Sequence, residues 1–186
     1  EEHLTRFRFN DAAHELYEFI WHQYCDWYVE YSKDALYGED LARRAQILAV
    51  MHHVFSTALR LLHPFMPFLT EELWHGMGYG TESETIMLAQ WPVPAEEGLW
   101  RAWGVTQEIC EYVDAKHELI RAGRTLRSDY GIAPAQKIDY IIKPADALTA
   151  DRLRADQSSL ASFLRSANLR IEEQFQPGKA MPGVVS

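Results

Sequence analysis

Three acid-x-x-His pairs, Asp11 with His14, Glu72 with His75 and Asp114 with His117, are the residues of this chain whose types and spacing could do chemistry. Residues three apart share a helix face, and a carboxylate beside an imidazole is the unit from which carboxylate metal centres are built inside helical bundles. His22, Cys25 and Asp26 share a face in the same way. Two of the pairs use Asp, and three pairs are a mild excess over what eight histidines and 27 acids scattered over 186 positions would produce by chance. A solvated or mutually satisfied set of side chains therefore stands beside the metal reading. The other chemistry on offer is phosphate binding. Between Lys116 and Lys137, five basic residues (Lys116, Arg121, Arg124, Arg127, Lys137) meet two acids, Glu118 and Asp129, a local balance of +3. Arg43 and Arg60 lie on a second polar line with no acid beside them. A solvated helix face with ordinary charge pairs explains both tracks equally well. No Walker loop, GxGxxG or GxSxG is present.

The elements that must position these residues are mostly helical. Apolar residues from Phe9 to Tyr31 recur at three and four residue steps and predict one helix from about His3 to Tyr31, with Trp21 off the stripe as a candidate surface stacker. A second helix, about 40–63, is apolar on nearly every side, as expected of the central helix of a bundle. GYGTESET (78–85) is a turn-rich loop, 86–91 is predicted extended, and a last long helix runs from about Ala95 to Arg127. Beyond Pro134 the period changes: 137–143 reads as a strand, 146–166 as a helix and 169–175 as a strand, with a frayed end after it.

Between the second and third helices lies LLHPFMPFLTEELW, Leu61 to Trp74. Pro64 cannot extend the incoming helix, and Pro67 suits the first turn of the outgoing one. Thr70 is a capping type, Glu71 and Glu72 suit the positive end of a helix dipole, and Phe65, Phe68, Leu73 and Trp74 are expected to anchor the corner in a core. This run, through His63, Pro64, Phe65, Pro67, Phe68 and Thr70 to Trp74, resembles the HPFxPFxTEELW corner of the anticodon-binding domain of class I aminoacyl-tRNA synthetases. Two further stretches are similar to the valyl members of that family. RFNDAAHELYEFIWHQYCDWYVEYSK (8–33) looks like their RFN start and WxxxCDWYxE ending. RTLRSDYGIAPAQKI (124–138) is similar to RNxRxExxIxPxxK, departing with Thr125, Asp129 and Ala133.

The resemblance implies a mainly α fold, an antiparallel helical bundle of the anticodon-binding type (1–131), followed by a small incomplete α/β unit (132–186). It implies tRNA as partner, valine-specific, with Arg121, Arg124 and Arg127 as backbone contacts and Lys116, Arg43 and Arg60 behind them. Neither the HIGH-type nor the KMSKS-type sequence appears, so the resemblance places ATP and magnesium chemistry in a separate catalytic domain and gives this chain no catalytic residue, cofactor or metal. Starting at or just before RFN, the chain reads as a piece lacking the family domain's first helix and the coiled-coil arm. Weak, poorly discriminating tRNA binding is the expected result. An architectural brace between catalytic domain and arm is the alternative, with a metal-carboxylate bundle behind it.

Composition sets the bounds. Net charge is −9 and pI about 5.3, which argues against a binder whose whole surface is basic. At 47% hydrophobic content, the chain can bury a sizeable core. No uninterrupted apolar run nears about 18 residues, so no membrane partner and a cytoplasmic location are expected. Cys25 and Cys110 have no CxxC spacing and are expected to be idle thiols in a reducing compartment.

Overall fold

The computed structural model describes residues 2–81 and 83–176 and divides into two compact units, Glu1–Pro94 and Ala95–Ser186. Residue 82 of the 78–85 loop and the end read as frayed, 177–186, lie outside the described residues. The change of period marks a boundary at 131/132, whereas by contact the chain parts at Pro94, because the long helix Gln107–Asp129 packs on the elements after it.

The first unit holds α1 (Glu2–Thr5), α2 (Phe9–Tyr17), a π-helix (Glu18–Val29), α3 (Glu30–Tyr37), α4 (Leu41–Leu62), α5 (Pro67–Gly76) and a 3-10 turn (Ile86–Leu88). The single helix predicted over 3–31 is broken at Phe7, whose φ is 56°, and then winds wider from Glu18. A π-helix bonds i to i+5, so a stripe counted at 3.6 residues per turn drifts off its face. Ala12 and Trp27 are buried, while Phe9, Phe19 and Trp21 stand exposed. Rings four apart stack instead, Tyr24 on Tyr28 at 5.9 Å and Trp27 on Tyr31 at 6.3 Å.

Helix α4 starts where Asp40 accepts the Arg43 backbone N–H at 2.9 Å. It packs against the preceding helices, and the Tyr24 hydroxyl reaches across to the Met51 carbonyl at 3.3 Å. Burial pushes that phenol up to about 12. Only Ala58 and Leu59 of α4 are buried, and Leu41 and Leu48 are exposed, because α2, α3 and α5 cover part of its circumference. Its 22 residues are long and apolar enough to cross a membrane by length and composition, since the polar residues that interrupt the apolar run are mostly uncharged.

At the corner, Thr70 is 1% exposed and closes the turn with its side chain rather than capping a helix. Its hydroxyl donates to the Met66 carbonyl at 2.9 Å, and His63 Nδ1 lies 2.7 Å away. A hydroxyl has one proton to give, so His63 donates from Nδ1. Phe68, expected in the core, is 91% exposed and Leu73 is also exposed, because α5 turns them away from α4. The stretch expected to run extended forms the 3-10 turn: the Thr85 hydroxyl accepts the Met87 N–H and donates to Glu71 at 2.8 Å.

The second unit holds α6 (Glu97–Ala102), α7 (Gln107–Asp129), β1 (Ile138–Ile142), α8 (Ala147–Ala155), α9 (Gln157–Leu164) and β2 (Ser166–Ile171). The predicted last helix is two, parted where Gly104 takes φ 72° and Thr106 caps α7 by accepting the Ile109 N–H. The strands pair in parallel, as a strand, helix, strand unit requires. Helix α7 lies so close to α9 that a Cβ on Gly123 would sit 2.4 Å from Leu164 Cδ2. The Tyr140 hydroxyl donates to the Gly123 carbonyl at 3.1 Å. Lys116, 9% exposed, donates to Asp156 at 2.7 Å, and the Tyr112 hydroxyl donates to the same oxygen. Burial first, then the charges of Arg121 and Lys116, hold the neighbouring His117 below its ordinary 6.5.

Thr70→Val strips the corner of its hydroxyl and should cost about 1–2 kcal/mol of stability in denaturant titration. Gly123→Ala forces the buried Leu164 aside, and about 1–3 kcal/mol should be lost in the same assay. His117 is depressed in the folded state, so its contribution is complete above pH 6.5 and is lost as pH falls below that value. Thermal midpoints of the wild type should fall more steeply than those of His117→Gln as pH drops from about 6.5 toward about 5.

Candidate nucleic-acid interface

The cations singled out in the sequence fall into two groups. Arg43, Arg121 and Arg124 are exposed. Arg43 uses its backbone N–H for the α4 cap, Arg121 pairs with Glu118 one turn away, and Arg124 lies 5.7 Å over the Phe163 ring. The other three face inward. Arg60 donates to the Ser56 and Gln90 carbonyls and to the Thr57 hydroxyl, tying the segment after the 3-10 turn to α4. Lys116 is held by Asp156. Arg127 is 7% exposed and donates from Nη2 to the Ala133 and Gln136 carbonyls, at 2.9 Å and 2.5 Å. A helical period marks which residues share a face but not which face a later loop covers, and 131–136 folds back over Arg127.

Aromatic surface is concentrated in the first unit. Trp21 is 54% exposed and stacks on Tyr17, itself 53% exposed, with ring centroids 6.3 Å apart and planes within 5°. A flat, wet, paired aromatic surface of this kind can receive an unstacked base. Tyr17 escaped the sequence reading. Its signal, an aromatic four residues before Trp21, was there.

Two of the acid-x-x-His pairs, Asp11 with His14 and Glu72 with His75, turn to other partners. Asp11 takes the Arg8 guanidinium at 2.5 Å, and His14 leans toward Glu18 at 4.0 Å. His75 pairs with Glu71 at 3.0 Å rather than with Glu72, which is exposed. Partial burial opposes ionisation of Glu71, but hydrogen bonds from Thr85 and His75 outweigh it and hold the carboxyl below its usual value. His22 bonds Asp26 at 3.1 Å. Among the described residues no three His, Cys, Asp or Glu stand close enough to hold a metal ion.

Charge is divided unevenly between the units. Glu1–Pro94 carries 6 Lys and Arg against 14 Asp and Glu, net −8, and Ala95–Ser186 carries 12 against 13, net −1. By net charge the second unit opposes a polyanion less than the first.

The profile described as the anticodon-binding domain of tRNA ligase matches residues 1–142. A valine–tRNA ligase of Bacillus subtilis is 35% identical over 190 residues, covering 100% of this chain and 21% of its own length. That of Carboxydothermus hydrogenoformans is 37% identical over 187 residues, covering 98% and 20%, and that of Geobacter sulfurreducens 35% over 175, covering 94% and 19%. The chain thus spans about a fifth of the length of the curated relatives it matches. A corner closed by His63 and Thr70, a predominantly helical chain ending in a small parallel α/β segment, and a match over most of the sequence agree: the chain belongs to the anticodon-binding domain family of tRNA ligases.

Proposed function

We propose that this chain is the tRNA-recognition part of a valine–tRNA ligase, gripping the anticodon stem and loop of valine tRNA. Activation of valine with ATP and magnesium takes place in a separate catalytic domain of the cytoplasmic parent enzyme. What carries the reading is the family match over residues 1–142 combined with valine–tRNA ligases aligned along nearly the whole chain. In this reading 1–131 form the anticodon-binding bundle and 132–186 a linker segment. Arg121, Arg124 and Arg43 meet backbone phosphates, and Trp21 with Tyr17 offers a platform to a loop base. Arg60, Lys116 and Arg127 hold the scaffold that presents them.

A second reading, an architectural brace with little tRNA contact, is favoured by one specific observation: three of the six cations expected to face tRNA are committed to internal partners, and the first unit is strongly acidic. Titration into labelled valine tRNA separates the two. Three phosphate contacts should give a log–log salt slope of about −2 to −3. Arg121→Gln should weaken binding of every transcript alike and flatten the slope by about 1. Trp21→Ala should cost about 1–3 kcal/mol and erase the difference between the valine transcript and one with a changed anticodon. Absence of binding at low salt would leave the brace.

A further inference from the structure

In the first unit a cleft of about 360 Å³ opens between the end of α4, the proline corner and the 3-10 turn. Pro64, Pro67, Met87 and Trp91 are among its apolar walls, and its polar groups come from Arg60 and His63. Met87 is 74% exposed, so this apolar surface is wet as it stands. No carboxylate lines the cleft among the described residues. The negative end of α4 and the positive end of α5 meet here and offset one another, which leaves the Arg60 guanidinium as the net local charge.

Arg60 and His63 stand three residues apart at the end of α4 and so share a face. Three of the five N–H groups of Arg60 are engaged, Nε by the Ser56 carbonyl, Nη1 by the Gln90 carbonyl and Nη2 by the Thr57 hydroxyl. All three acceptors are neutral, and one N–H on each Nη has no acceptor among the described residues. A guanidinium fixed in this way keeps its charge and offers two prealigned donors, the arrangement a carboxylate accepts. His63 offers the opposite chemistry. Its Nδ1 proton goes to Thr70, so in the neutral ring Nε2 is an acceptor, and it has no partner among the described residues. A pair of donors for an anion, one acceptor for an N–H and an apolar wall therefore converge on one cleft. The last residue of a polypeptide carries the complementary groups on a single carbon: a carboxylate, a peptide N–H and a side chain. A free amino acid would instead set an ammonium beside Arg60, and like charges repel there. An inorganic anion would gain nothing from the apolar walls.

We propose that this cleft captures the carboxy-terminal residue of a polypeptide partner whose last side chain is apolar. The carboxylate lies on Arg60, the last peptide N–H on His63 Nε2, and the side chain against Met87 and Trp91. The net −8 of the surrounding unit selects against partners with further acids near that end. The site goes beyond the anticodon reading and does not rest on it, since it involves no nucleic acid.

The test follows the Arg60 Nε–Hε and Met87 methyl signals of the isotope-labelled 186-residue chain by NMR as N-acetyl-glycyl-glycyl-leucine is added. Saturable shifts of both signals are expected. The same peptide with an amidated carboxyl should bind about tenfold more weakly, through loss of the charge-assisted bonds. A serine-terminated peptide should also bind about tenfold more weakly, through loss of apolar burial. Met87→Ala, at an exposed position, should weaken the leucine peptide about fivefold. Arg60→Gln should abolish the difference between acid and amide. Because Arg60 also ties the segment at Gln90 to α4, the amidated peptide makes the same test on the unaltered protein. No saturable shift, equal binding of acid and amide, or the same shifts from acetate alone at equal concentration overturns the proposal. So does free leucine binding as tightly as the peptide, which would make the occupant a free amino acid. No tRNA enters the experiment, so its failure leaves the anticodon reading standing, and a failure of tRNA binding leaves this site standing.

Discussion

Two prolines within four residues remove two backbone donors between Leu62 and Thr70; the Phe65 and Met66 N–H groups close the turn onto the Leu62 carbonyl, and the His63 and Thr70 side chains tie it to α5. The Thr70 hydroxyl gives its one proton to a carbonyl and takes one from His63, which leaves both side chains with a single arrangement. That arrangement sets how α5 leaves α4. With α5 placed, Glu71 meets Thr85 and His75, and Thr85 in turn starts the 3-10 turn that buries Ile86.

The second unit depends on proximity rather than on a turn. Gly123 lets α7 approach Leu164 and Tyr140 more closely than any side chain would permit, and Lys116, Tyr112 and Asp156 complete the contact further along the helix. A helix that the sequence assigns to the bundle is therefore held by the α/β segment after it. Arg127 belongs to the same packing, folded under the 131–136 bend.

Much of this was legible in the residues. Prolines, glycines and capping side chains mark the ends of α4, α5 and α7, and the switch to alternating apolar residues at 138–142 marks the small sheet. The corner motif and the basic stretch on α7 were visible as types and spacings. What was not legible depends on geometry that spacing does not encode. A π-helix changes the period on which the amino-terminal stripe was counted, so Phe19 and Trp27 part company. Arg121, Arg124 and Arg127 look alike on a helical wheel, and only the later bend makes one of them interior. The left-handed conformation of Arg165 at the end of α9 gave no signal, because it is a property of the backbone.

The uneven charge has a kinetic meaning. A polyanion diffusing toward this protein meets net −8 on one unit and net −1 on the other. Collisions with the first unit are repelled from beyond contact, within the roughly 10 Å that moderate salt allows. Those with the second meet no such barrier and find exposed guanidinium groups. A polyanion is thus slowed on its way to the first unit before any contact forms, so that binding there depends more steeply on salt than binding to the second.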